Sequence, residues 1–225
     1  TEVSQKILEG LPSNGADFIE LGMPFSDPMA DGPAIQASSL RALKNGMDLS
    51  KTLLMVKNFR EKDKNTPIIL MGYFNPIFRY GVKEFILESE KAGVDGFIIV
   101  DLPPEEDREF YVPLQKSKMD LIRLIAPTTD SKRLSLILEK SSGFIYYVSI
   151  TGITGTKTAS NTDIKEAIEN INKLTDLPIA VGFGIKSKNQ VSEISRISSA
   201  VVVGSHIVKI IENEYSKNNN NYDKV

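Results

Sequence analysis

The chain has 225 residues, 41% hydrophobic and 25% charged, and 27 Lys and Arg against 29 Asp and Glu leave a formal net charge of −2. That balance excludes the electrostatic footprint of a nucleic-acid or anionic-membrane binder. No run approaches the about 18 apolar residues of a spanning helix, the opening stretch lacks the apolar core of a signal peptide, and without cysteine no disulfide, thiolate nucleophile or Cys-based zinc site can form. The cytoplasm is the expected location. The length suits one α/β core, since barrels of that kind use about 200–250 residues. A single domain is expected over 1–215, followed by a frayed polar tail over 216–225 with its run of asparagines.

In chain order, residues 2–12 read as a helix. Apolar, β-branched or aromatic runs then recur at 18–22, 68–73, 96–101, 121–126, 144–149, 179–183 and 200–204. Each is short and lacks alternation, the pattern of a strand covered on both faces. Between them lie segments with helical spacing, such as Leu49, Leu53, Val56 and Phe59, or Leu134, Ile137 and Leu138. Asp130-Ser131 and Asn161-Thr162-Asp163 are candidate helix caps, and a last helix is expected over 206–211.

A repeated βα order implies parallel strands joined by right-handed crossovers. Both an open doubly wound sheet and a closed barrel satisfy it; similar short strands and the lack of a charged or proline-blunted edge favour closure. The expected fold is a (β/α)8 TIM barrel whose first strand is absent from this chain, because seven runs follow an opening helix.

The densest chemistry lies in residues 20–33, ELGMPFSDPMADGP. Glu20 falls near the C-terminal end of an apolar strand, where parallel barrels build their sites. A desolvated carboxyl there tends toward a raised pKa suited to proton transfer; the competing reading is one partner of a buried ion pair. The loop that follows places Asp27 and Asp31 on a proline- and glycine-constrained segment, although each aspartate alone is also an ordinary turn residue.

Later glycines form a second cluster. Val181-Gly182-Phe183-Gly184-Ile185 follows one strand, and Val203-Gly204-Ser205 leads into the last helix. Glycines let backbone N–H groups approach an anion and a helix start adds free donors, so a phosphate site competes here with plain tight turns. Residues 151–160, TGITGTKTAS, form a candidate lid or simply a surface loop. His206, the single histidine, reads as a partly exposed helical residue, and one histidine builds neither a catalytic triad nor a His-based metal site. Tyr73, Asp101 and Tyr146 sit at or near strand ends, where a pocket or plain packing would use them.

Together these segments resemble the tryptophan synthase alpha subunit. The match is carried by residues 20–33, Met71-Gly72-Tyr73-Phe74-Asn75-Pro76, 94–103, 149–155, 181–185, and Gly204-Ser205 with Ile207-Val208-Lys209, and it runs from Gly15 to Ile211. Against the family pattern, Thr1 aligns just beyond the turn that follows the first strand.

The resemblance implies an eight-stranded barrel and a retro-aldol lyase that cleaves indole-3-glycerol phosphate to indole and glyceraldehyde 3-phosphate. Glu20 matches the family's general acid-base residue, and Asp31 the carboxylate that accepts the indole N–H bond. Thr154 matches the closing loop. Gly155, Gly182, Gly184, Gly204 and Ser205 match the phosphate cradle, and Met71, Tyr73, Ile98 and Tyr146 the indole pocket. No metal is implied. Pyridoxal phosphate is expected in a partner beta subunit of an αββα heterotetramer, not in this chain. An alternative expectation is a mainly regulatory subunit that activates the beta partner and has weak activity of its own.

Overall fold

In this computed structural model, residues 2–149, 160–182 and 184–217 are described. They form two compact units, the first ending at Asp120 and the second beginning at Leu121.

The first unit opens with α1 (Glu2–Gly10) and a 3-10 turn at Pro12–Asn14, dividing the stretch expected as one helix. There follow β1 (Ile19–Gly22), α2 (Pro33–Lys44), α3 (Leu49–Arg60), β2 (Ile68–Gly72), α4 (Phe74–Tyr80), α5 (Val82–Ala92), β3 (Gly96–Ile99), α6 (Arg108–Leu114) and β4 (Asp120–Leu121). The strands lie in the order β1-β2-β3-β4. The β1–β2 and β2–β3 pairs are parallel, with Glu20 level with Ile69, and Gly22 level with Met71 and Ile98.

Helix α3 shows why these segments fold as they do. Asp48 caps it by accepting the Lys51 N–H at 2.8 Å, and Leu49, Leu53, Val56 and Phe59 are buried along one stripe, as their spacing predicts. Burying side chains of this size contributes roughly 1.5–3 kcal/mol each.

Strand alternation then sorts the sheet into two faces. Phe97 packs against Phe85 of α5 (5.5 Å between centroids) and Phe110 of α6 (5.4 Å), so the face with Phe97, Ile68 and Leu70 meets the helices. Glu20, Met71 and Ile98 occupy the opposite face.

At the N-terminal ends of the strands Arg60 acts as a clamp. It donates to the carbonyls of Gly93 (2.8 Å) and Thr66 (2.7 Å) and pairs with Asp95, whose carboxylate also accepts the Ile68 N–H at 2.7 Å.

The second unit contains β5 (Arg123–Ile125), α7 (Ser131–Glu139), β6 (Ile145–Val148), α8 (Asn161–Asn172), β7 (Ile179–Gly182), α9 (Lys188–Ile194), β8 (Ala200–Val201) and α10 (Ser205–Lys217), with parallel strands in the order β5-β6-β7-β8. Ile145, Tyr147, Ile179 and Val181 pack with Ile164, Ile168 and Ile171 of α8, so the alternate residues Tyr146, Val148, Ala180 and Gly182 share the other face.

Three expectations are corrected. The run 121–126 is two strands, β4 in one sheet and β5 in the other, with Ile122 between them. The cap of α8 is Ser160, not Asn161: its hydroxyl accepts the Asp163 N–H at 3.2 Å while the Asp163 carboxylate accepts the Ser160 N–H at 3.0 Å. Helix α10 runs on through Lys217, well past 211.

Candidate active site

Glu20 stands on β1 at the level of Ile69, on the face turned away from α5 and α6. The residue as a whole is half-buried, yet its Oε1 is shut off from solvent with no hydrogen-bond partner among the described residues. Burial alone pushes its carboxyl up to about 8, with no cation to hold it ionised. The ion-pair reading therefore falls. An acid left without a partner in an apolar strand is poorly suited to stabilising the fold and well suited to exchanging a proton near neutral pH.

Asp31 is tied to the C-terminal end of β2 through Tyr73. That tyrosine directly follows β2, is 2% exposed, and packs its ring against Phe25 at 5.5 Å between centroids. Its hydroxyl accepts the Ala30 N–H at 3.0 Å and lies beside the Asp31 carboxyl. Burial raises the Asp31 carboxyl, and the Tyr73 hydroxyl opposes the rise. Burial, with Asp31 beside it, pushes the Tyr73 phenol up to about 12, so it stays a donor at any ordinary pH. The two acids thus differ in kind. Glu20 is left to hold a proton, and Asp31 is given a partner that favours its anion.

The loop between them is anchored by contacts with no sequence signature. The Phe25 N–H donates to Ser39 Oγ at 2.9 Å and that hydroxyl donates back to the Phe25 carbonyl at 3.0 Å, tying the loop to α2. Asp27 is exposed, and its carboxylate accepts the Ser26 hydroxyl at 2.5 Å. Asp101 is exposed and accepts the Phe74 N–H at the start of α4, at 2.8 Å, so it serves that helix. Met71 is half-buried, whereas Ile98 has no exposure at all.

In the second unit, Gly184 is exposed with φ of 80°, a conformation that favours glycine, and Gly204 is exposed with open space where a Cβ would stand. Ser205 opens α10, whose Val208 N–H bonds back to the Gly204 carbonyl at 3.1 Å. The N–H groups of the first turn therefore lack helical partners, as anion binding requires. At Gly182 a Cβ would meet Cζ of the buried Tyr146 at 2.6 Å. Tyr146 and Gly182 are thus packing partners on one face. His206 lies half-buried in the first turn of α10. Thr154 and Gly155 fall outside the described residues.

Two open surface depressions, one along α6 with Lys83, Arg108 and Glu109 and one along α9 with Lys186, Lys188 and His206, are lined by neither Glu20 nor Asp31. Among the described residues no His, Asp and Glu cluster has the makings of a metal site, and no helix is long and apolar enough to cross a membrane.

Comparison with known proteins gives the same outline. The family model described as tryptophan synthase alpha chain matches residues 1–225. The chain is 37% identical to the tryptophan synthase alpha subunit of Legionella pneumophila, with a TM-score of 0.88 over 96% of this chain and 80% of that one. It is 39% identical to a chain of the α2β2 tryptophan synthase complex of Pyrococcus furiosus (TM-score 0.83, 94% and 86% covered). Against tryptophan synthase from Mycobacterium tuberculosis in its aminoacrylate-bound form the identity is 31% (TM-score 0.85, 94% and 80% covered).

Parallel strands, crossover helices and these superpositions define an α/β protein of the (β/α)8 TIM-barrel class, with an acid on one strand whose Oε1 has no partner among the described residues. The chain belongs to the tryptophan synthase alpha chain family, and with it to the lyases of tryptophan biosynthesis.

Proposed function

We propose that this chain cleaves indole-3-glycerol phosphate to indole and glyceraldehyde 3-phosphate. The observation that carries the reading is Glu20, whose buried and unpartnered carboxyl keeps its proton up to a pH of about 8. Its proton goes to the indole ring carbon that bears the side chain, giving a cation conjugated with the ring nitrogen. The Glu20 carboxylate so formed takes the proton of the adjacent hydroxyl. The carbon–carbon bond then breaks, its electron pair restores the indole ring, the oxygen becomes the aldehyde, and Glu20 is protonated again. Asp31 accepts the indole N–H and faces the positive charge that develops there, so its anion is worth most at the transition state.

The phosphate is assigned to the backbone of the second unit's turns at Gly184, Gly204 and Ser205, and by resemblance to Gly155. Gly182 contributes by making room for Tyr146. Met71, Tyr73, Ile98 and Tyr146 are assigned to the indole, and Thr154 to loop closure by resemblance. No metal enters the scheme.

By likeness to the Pyrococcus furiosus complex, a beta subunit in an αββα heterotetramer is the proposed partner. Pyridoxal phosphate is assigned to that partner and not to this chain. Incubating the purified chain with indole-3-glycerol phosphate, with and without a beta subunit, tests the reading. Indole and glyceraldehyde 3-phosphate in equal amounts are expected under both conditions. A chain that raises the partner's turnover yet forms no indole would establish the regulatory alternative instead.

A further inference from the structure

Tyr73 is attached to the loop before α2 at three places. Its ring carries Phe25 at 5.5 Å, its hydroxyl oxygen accepts the Ala30 N–H at 3.0 Å, and the Asp31 carboxyl lies beside that hydroxyl. A phenol oxygen has one proton to give. The Ala30 N–H so held directly precedes Asp31 in the loop, which brings the Asp31 carboxyl beside the phenol. The anchor itself is rigid: Tyr73 is 2% exposed, sits between β2 and α4, and shares the strand that carries Met71 on the face of Glu20. The loop's other bonds run within it or to α2: Met29 N–H to the Asp27 carbonyl (2.9 Å), Asp31 N–H to the Pro28 carbonyl (3.0 Å), Gln36 Nε2 to the Asp31 carbonyl (2.8 Å) and the Phe25–Ser39 pair, and none of these ties Asp31 to the sheet.

We propose that Tyr73 is a positioning residue for the lyase reaction, its hydroxyl registering residues 25–31 against the end of β2 so that the Asp31 carboxylate is held where the indole N–H must meet it. The inference deepens the proposed function and rests on it for the nature of the substrate. A wall of the pocket needs only the ring of Tyr73, whereas a positioning residue needs the oxygen. Without that oxygen the Ala30 N–H and the Asp31 carboxylate each lose a partner, and the carboxyl loses the one interaction that opposes the effect of burial.

The test is Tyr73→Phe in the full chain, with indole release followed against pH and the Asp31 carboxyl followed by carbon NMR, its signal assigned by its absence in Asp31→Asn. A kcat loss of about 10- to 100-fold is expected from a displaced catalytic group, with KM changed far less. The acidic limb of the rate profile and the Asp31 titration should both move to higher pH. In an Asp31→Asn background Tyr73→Phe should add little, because its effect passes through Asp31. Should the phenylalanine variant fail to fold, 3-fluorotyrosine at position 73 keeps the ring and gives a stronger donor, and it should move the Asp31 titration downward. Wild-type kcat and pH profile in Tyr73→Phe, or an Asp31 titration that neither substitution moves, would overturn the proposal. If the unaltered chain releases no indole at all, the proposed function fails, while the Asp31 titration still decides whether Tyr73 governs it.

Discussion

The ring of Tyr146 fills the space that a side chain on Gly182 would need: a Cβ built there stands 2.6 Å from Cζ, inside any real contact distance. Both residues lie on buried strands, on the face away from the α8 core, so neither can step aside. Gly182→Ala is therefore expected to cost roughly 1–3 kcal/mol of folding stability by overpacking. Trimming the ring should relieve it. The measurement is a urea-unfolding cycle with Gly182→Ala, Tyr146→Ala and the pair, in which the double variant should be more stable than the sum of the single losses predicts. Additive losses would mean that the two side chains do not compete for one volume.

Glu20 makes folding stability depend on pH. Its carboxyl titrates near 4.5 when unexceptional and at about 8 here, so the folded chain keeps a proton that the unfolded chain gives up between those values. Folding accordingly loses stability as pH rises through that window, and the loss is complete above it. Glu20→Gln removes the effect. At about pH 8 the variant should be more stable than the unaltered chain by an amount on the order of a few kcal/mol, with the gap closing as pH falls toward 4.5. Denaturant midpoints that run parallel across the window would contradict a buried, proton-retaining Glu20.

Arg60 works at the other end of the strands. Its bonds to Gly93, Thr66 and Asp95 hold the N-terminal ends of β2 and β3, away from the end that carries Tyr73. Conserving its bulk while removing its charge, Arg60→Met should destabilise by an amount on the order of 2–3 kcal/mol, since charged hydrogen bonds to half-buried carbonyls are lost. Indole release per folded molecule should be unchanged. A fall in kcat without a fall in stability would place Arg60 in the chemistry.

Ser160 and Asn161 separate two accounts of how α8 begins. With Ser160 as the cap, Ser160→Ala should cost about 1 kcal/mol, and Asn161→Ala, which loses only an exposed bond to Glu193, should cost much less. Thermal unfolding of the two variants decides it. The reverse order would restore the cap that sequence pattern alone suggests.

Much of this architecture was legible in the sequence, because its signals are local. Continuous apolar runs located every strand, and the spacing from Leu49 to Phe59 located the buried face of α3. Glu20 stood out because a carboxylate within such a run is costly to bury. Its lack of an ion pair was not legible, since a partner arrives from elsewhere in the chain and no local pattern announces it. The same holds for Tyr73, which read as a pocket wall until its bond to the Ala30 N–H appeared, 43 residues away in sequence. Gly182 read as a phosphate-binding glycine, and only the strand register showed that Tyr146 already requires it to be bare. The break at Ile122 was hidden for a related reason: ladder partners change there while the apolar pattern does not.

The whole account turns on whether the Glu20 proton is the one that cleaves the bond. The direct measurement is kcat for indole release from indole-3-glycerol phosphate by Glu20→Gln beside the unaltered chain, with both shown to be folded by the same unfolding transition. A fall of at least about 100-fold is predicted for loss of a positioned acid-base group. Turnover within a few-fold of the unaltered chain would contradict it.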